Sequence, residues 1–155
     1  MIKDYVDAWN ENKDKLEKYF RKTKQEKYET YRDIVEQLIK IVINPYIVKK
    51  YGEFSDKRLD VDNMKYIDDG DYQGTSIYII PELTYQPDVD NYVYTNNYYG
   101  SCSGCDTLLA ISCYQSGIPA PKQVEGYMTI ALHLLQKFKR LEDENILLTG
   151  ETIEK

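Results

Sequence analysis

The stretch "YYGSCSGCDTLLAISC", residues 98–113, holds two cysteines three apart, Cys102 and Cys105, and a third at Cys113. A C-x-x-C pair at a tight, glycine-containing turn is half of a tetrahedral zinc site, because the turn lets two thiolates converge on one metal. Gly104 gives that turn backbone freedom, and the Ser101 and Ser103 hydroxyls can donate to the sulfurs. Two more ligands are needed. The chain has one histidine, His133, which is the natural third. Cys113 and Asp71 compete for the fourth place. An unbroken helix over 105–113 would set Cys113 about 12 Å along the axis from Cys105. Two sulfurs on one zinc lie within roughly 4 Å, so Cys113 joins only if that helix breaks or starts late. Asp71 precedes the strand "YQGTSIYII" and reaches the cysteines if that strand lies antiparallel to "NYVYTNNYYG".

Other chemistries fit the same residues less well. A redox pair also sits between a strand and a helix, where the helix dipole lowers a thiol pKa. That fold needs a proline-led strand downstream, and none follows here. The cysteines as inert buried thiols are a third reading. Cys102 as a nucleophile with His133 as its base is formally available. No HExxH and no deaminase HxE…PCxxC spacing accompanies them. "DDGDYQG" lacks the closing glutamate of a calcium loop, and no phosphate-cradling glycine loop is present. The residues therefore point away from an enzyme and toward a structural zinc held by Cys102, Cys105 and His133, with Cys113 or Asp71 as the fourth ligand.

The elements that must position these groups follow from periodicity. Residues 2–21 read as a helix with Tyr5, Trp9, Leu16, Tyr19 and Phe20 on its apolar side. In "KYETYRDIVEQLIKIVI", Tyr28, Tyr31, Val35, Leu38 and Val42 recur at steps of three and four, a second helix. Asn44-Pro45 should end it, since the residue before proline is pushed out of the α region. The two helices form a hairpin through "RKTKQ". From 61 to 100 the period becomes that of strands: "MKYI", "TSIYIIP" and "NYVYTNNYY", separated by the turn residues of "DDGDYQG" and "YQPDVDN". "DTLLAISCYQSG" predicts a short helix closed by Gly117. "PAPKQVEGYMTIALHLLQKFKRL" predicts a last helix with Tyr127, Ile130, Ala131, Leu134, Phe138 and Leu141 inward. On that helix His133 falls on the polar side beside Gly126, Thr129 and Lys137, where small residues let another segment approach. The expectation is an α+β fold in a single domain 1–155: a helical region 1–52, an acidic tyrosine-rich sheet 61–100, the C-x-x-C turn and two helices 101–142, and a frayed tail 143–155.

The 155 residues carry a net charge of −6, but the acidity is local. Residues 61–100 hold one lysine against seven acids: Asp62, Asp68, Asp69, Asp71, Glu82, Asp88 and Asp90. Eight of the 16 tyrosines lie there too. Direct nucleic-acid binding needs the opposite sign, so it is not expected. Tyrosine is enriched at interfaces, and acids steer association with basic partners; a partner with a cationic nucleic-acid channel would suit. No run approaches a membrane span, and "MIKDYVDAWNENKDK" has no apolar signal core. An odd number of cysteines argues against a disulfide framework. The expected location is the cytoplasm.

The stretch from "DDGDYQGTSIYII" through "YGSCSGCDTLLAI", with "LHLLQKFK" beyond it, resembles a group of small phage- and prophage-encoded proteins over roughly residues 66–140. "YQGT", "TYQP" and "YGSCSGCDTL" are the most specific segments. Within that group the chain looks like an anti-CRISPR protein acting on type II-A (Cas9) systems. The resemblance implies a non-enzymatic inhibitor that binds Cas9 or its guide complex in the bacterial host cytoplasm and blocks target DNA loading. It transfers no functional residues. The alternatives are a small C-x-x-C redox protein and a phage host-takeover protein with another host target.

Overall fold

The computed structural model describes residues 2–68, 70, 74–100, 106–112 and 117–141. Helix α1 (Ile2–Lys22) turns Tyr5, Ala8, Trp9, Leu16 and Phe20 inward. These are the three- and four-residue steps of an amphipathic helix. Buried Asn12 lies on the same face and donates to the Val42 carbonyl at 3.0 Å. The chain then reverses through a 3₁₀ turn, Gln25–Tyr28. Tyr28 belongs to this turn and not to the second helix, where its spacing would put it. Its ring packs among Phe20, Tyr19 and Tyr127, and its hydroxyl faces the carbonyls of Thr23 (2.8 Å) and Phe20 (3.0 Å).

The second helical run starts at a reciprocal cap, in which Asp33 N–H donates to Thr30 Oγ1 and Thr30 N–H to Asp33 Oδ2, both at 3.1 Å. It runs as α2 (Tyr31–Gln37), a π-helical stretch Leu38–Ile43 and α3 (Asn44–Tyr51). Asn44-Pro45 does not end it. The π-register already widens the ladder here, with Asn44 N–H bonding back to the Ile39 carbonyl. The missing proline donor and its ring are thereby accommodated. Asn44 keeps helical angles, φ −63° and ψ −40°. Its side chain bridges outward, accepting from Leu59 N–H (2.8 Å) and donating to the Leu59 carbonyl (3.0 Å).

The three expected strands form, as β1 (Lys65–Asp68), β2 (Gly74–Pro81) and β3 (Tyr92–Tyr99). They pair antiparallel in sequence order, with Tyr66 opposite Tyr78 and Gly74 opposite Tyr99. A short helix α4 (Thr107–Ser112) and the long α5 (Pro121–Gln136) follow. α5 stops at Gln136, earlier than its apolar spacing predicts, so Phe138 and Leu141 lie beyond it. Phe138 instead turns into the core against Tyr5, ring centroids 5.3 Å apart. Lys139–Arg140 then pairs with Val93 and Tyr94 as β4. Two contacts of Arg140 hold this strand: Glu82 Oε2 at 3.2 Å and the Asp90 carbonyl at 2.8 Å. The expected tail 143–155 lies outside the described residues.

The protein is α+β, with helices and a four-stranded antiparallel sheet. Tyr78, Ile80 and Val93 face the helices and join a core that includes Leu16, Phe20, Ile34, Leu38, Tyr127 and Leu134. Buried Thr95 donates to the Leu134 carbonyl at 2.7 Å, fixing β3 to the end of α5. The opposite side of the sheet carries Ile67, Ile77, Ile79, Tyr94 and Tyr98. None of these belongs to the core cluster or packs against it. Among the described residues, no helix is long and apolar enough to cross a membrane.

Candidate functional site

One end of the sheet gathers the groups of chemical interest. Gly74 and Tyr99 are paired there, so Gly74, Tyr99 and Gly100 lie at the same end of the hairpin. Asp106 organises this end. Its Oδ2 accepts the Gly100 N–H at 2.8 Å, and its Oδ1 accepts the Leu109 N–H at 3.1 Å, as a helix N-cap does, and the Tyr31 hydroxyl at 2.9 Å. The Tyr31 oxygen in turn accepts the Leu108 N–H at 3.1 Å. The two described residues that flank 101–105 are therefore bonded to each other, and α2, β3 and α4 meet on one buried carboxylate. Burial, its leading cause, and the neighbouring Asp106 push the Tyr31 hydroxyl pKa well above the ordinary tyrosine value.

Between this clamp and the helix-facing side of the strands lies a cavity of about 420 Å³. Tyr31, Tyr66, Tyr78 and Tyr99 line it with Asp68, Ser76, Asp106, Leu108 and Leu109, and Glu29, Thr30 and Arg32 form its rim. The alternation of β1, β2 and β3 accounts for this lining: Tyr66 and Asp68, Ser76 and Tyr78, and Tyr99 all point to one side. Asp68 Oδ1 accepts the Tyr99 hydroxyl, which reaches it across β2, and the Gly70 N–H at 3.0 Å. These two bonds, Tyr99 first, hold the Asp68 carboxyl below its ordinary value of 3.8. Tyr66 and Ser76 hydroxyls are 3.2 Å apart, and the Tyr66 and Tyr78 rings are in contact at 5.5 Å.

Of the expected metal ligands, Cys102, Cys105, Cys113 and Asp71 lie outside the described residues. His133 is described, exposed on the polar side of α5 as its wheel position predicts. It lines a smaller cavity of about 180 Å³ together with Asn97, Thr107 and Lys137. The small-residue approach is real as well: a Cβ on Gly126 would come within 2.8 Å of Ile111 Cδ1, so α4 packs directly on α5 there. Asn97 holds a buried Oδ1 with no hydrogen-bond partner among the described residues. Those residues contain no group of three or more His, Cys, Asp or Glu side chains that could hold a metal. α4 starts late, at Thr107 after the Asp106 cap; Cys105 and Cys113, the ends of the expected 105–113 helix, lie outside the described residues.

The acidic face is smaller than its composition implies. Glu82 is buried and paired with Arg140 at 3.2 Å, so it is structural. Asp62, Asp68, Asp88 and Asp90 are exposed. Asp69 and Asp71 lie outside the described residues. Periodicity alone misses Tyr31, Asn97 and Asp106 as site residues. Asp106 carries a local signal, an acidic residue just before an apolar helical run. No protein-family model, curated protein or solved structure matches the chain.

Proposed function

We propose that this chain is a non-enzymatic binding protein of the anti-CRISPR kind, which docks on a basic, nucleic-acid-handling effector. In keeping with the sequence resemblance, the effector is Cas9, apo or guide-loaded, in the bacterial host cytoplasm, and docking blocks target DNA loading. The observation that supports this reading is the sheet side turned away from the helices, where Ile67 (45 % exposed) and Tyr98 (58 % exposed) flank Ile77, Ile79 and Tyr94. The β2–β3 connection holds Tyr85 and Val89 outward beside Asp88 and Asp90. Lys65 and Lys139 stand in register with Ile79 and Tyr94 on that face, so the acids Asp88 and Asp90 of the connection, beside its exposed Tyr85 and Val89, supply the charge that suits a basic partner. Purified chain should co-elute with Cas9, and failure to co-elute with either the apo or the guide-loaded form would overturn the reading.

A structural zinc on Cys102, Cys105 and His133, with Cys113 or Asp71, completes the proposal. The Gly100–Asp106 bond supports it by bringing together the residues on either side of the cysteine segment. His133 and Thr107 sharing one cavity supports it further. The metal would tie the sheet end to α5. A carboxylate next to Cys105 in sequence opposes a free thiolate by charge, and a bound dication would offset it. That weighs against the redox reading. Native mass spectrometry tests the point: one zinc per chain is expected, and a metal-free chain with freely alkylated cysteines would refute it.

A further inference from the structure

We infer that the 420 Å³ cavity between α2, α4 and the strands receives the guanidinium of an arginine side chain presented by a protein partner. This rests on the reading of the chain as a protein-binding module and names the chemistry that module would recognise.

The lining selects by charge first. Glu29, Asp68 and Asp106 face the space against one cation, Arg32. Arg32 is itself turned to Glu36 along its own helix, Nε to carboxylate 3.6 Å. Anions are therefore repelled. A neutral apolar ligand would take water from the Asp68 carboxylate and from the Tyr66–Ser76 hydroxyl pair while offering them no new hydrogen bond. A cation gains twice, from the carboxylate field and from the faces of aromatic rings.

Shape then separates arginine from lysine. Tyr66 and Tyr78 stand side by side on one wall, Tyr99 beside Asp68, and Tyr31 opposite on the helical layer. A planar guanidinium can stack on a tyrosine ring while its edge donates to a carboxylate; a compact, strongly hydrated ammonium cannot do both. Asp68 is the group to receive it. Its Oδ1 already accepts from Tyr99 and Gly70, but a carboxylate offers about four acceptor positions, and those two bonds fix its orientation. Asp106 has both oxygens committed and acts through its charge alone. The volume falls within the range of roughly 300–1,000 Å³ typical of sites for small ligands, enough for one side chain and the backbone on either side.

The test is a chemical-shift titration of the intact protein with N-acetyl-arginine-N-methylamide, alongside its lysine and citrulline analogues. Citrulline keeps the shape and loses the charge. Binding at the resonances of Tyr66, Tyr78 and Asp68 is expected for arginine, about tenfold weaker for lysine and absent for citrulline. Asp68→Asn should weaken arginine binding about tenfold. Tyr66→Leu should do the same, so an unfolded Asp68 variant leaves the result readable. Equal shifts from arginine and citrulline, no shifts with any of the three, or shifts unaffected by both variants would overturn the inference. If arginine binds here while Cas9 does not co-elute, the pocket stands and the named partner falls; co-elution without arginine binding gives the reverse.

Discussion

The N–H of Gly100 and the carboxylate of Asp106 meet at 2.8 Å, closing the chain on itself across the cysteine segment. The same carboxylate caps α4 and holds the Tyr31 hydroxyl. One buried side chain thus joins the end of the sheet to two helices. Asp106→Ala should lower stability by roughly 3 kcal/mol, because it leaves the Gly100 N–H and the helix start without a charged acceptor. Tyr31→Phe removes its bond to Asp106 and the acceptor of the Leu108 N–H, and should cost roughly 2 kcal/mol. Urea denaturation of both variants measures the ordering, and equal small losses would contradict the clamp.

Asp68 makes a pH-dependent contact. Its carboxyl is held below 3.8 by the Tyr99 hydroxyl first and the Gly70 N–H second. A lowered carboxyl stabilises the folded state above the unfolded value, and that contribution is lost as pH falls through the folded one. The contact between β1 and β3 should therefore persist at about pH 5 and loosen only below 3.8. Carboxyl-detected NMR follows the titration directly. In Tyr99→Phe the Asp68 carboxyl should titrate closer to its ordinary value; an unchanged midpoint would remove Tyr99 as the main cause.

Gly126 lets α4 lie against α5. Its replacement by alanine favours the helix by roughly 0.5–1 kcal/mol, but the new methyl meets Ile111 at 2.8 Å. Overpacking of this kind costs roughly 1–3 kcal/mol, so Gly126→Ala should be destabilising on balance. Adding Ile111→Ala removes both colliding carbons, Cγ1 and Cδ1 at 2.8 Å, together with Cγ2 at 3.4 Å, and should relieve the overpacking. A thermal melt of the single and double variants is sufficient, and a single variant more stable than the parent would show that Ile111 moves aside freely.

Zinc, if held as proposed, feeds directly into folding, since the unfolded chain rarely has a preformed site. Cys102→Ser and Cys105→Ser should each lower the melting temperature sharply, and a chelator should have no further effect on either. His133→Ala tests the link to α5, because its exposed side chain otherwise has little share in the core. A small loss from Cys113→Ser beside a large one from Asp71→Asn would name Asp71 as the fourth ligand; the reverse would name Cys113.

What the sequence reveals follows the range of the interaction concerned. β1, β2 and β3 are legible because alternation and turn residues are local, and so is the exposed side of α5 on which His133 stands. Tyr28 misleads because its helical spacing is matched by a tertiary demand: its ring fills the space between Phe20 and Tyr127. Asn44-Pro45 reads as a stop because a π-register leaves no mark in hydrophobic spacing. β4 is hidden since two residues make no pattern; the Arg140–Glu82 pair that holds it joins segments far apart in the chain. Thr30-Tyr31-Arg32-Asp33 carries a readable cap signature, and Asp106 before "TLLAIS" does too. That the second oxygen of Asp106 takes the Gly100 N–H depends on where the sheet ends.

The most direct test of the central claim is a binding titration of Cas9 against the parent chain and against Ile67→Lys and Tyr98→Lys, with circular dichroism to verify that both variants fold. Both residues are exposed on the side of the sheet away from the helices, and an added lysine there repels a basic partner. The parent chain should bind, more weakly at higher salt, and each folded variant should lose about tenfold or more in affinity. Parent-level binding by both variants, or no binding by the parent chain at low salt, would contradict the proposed docking.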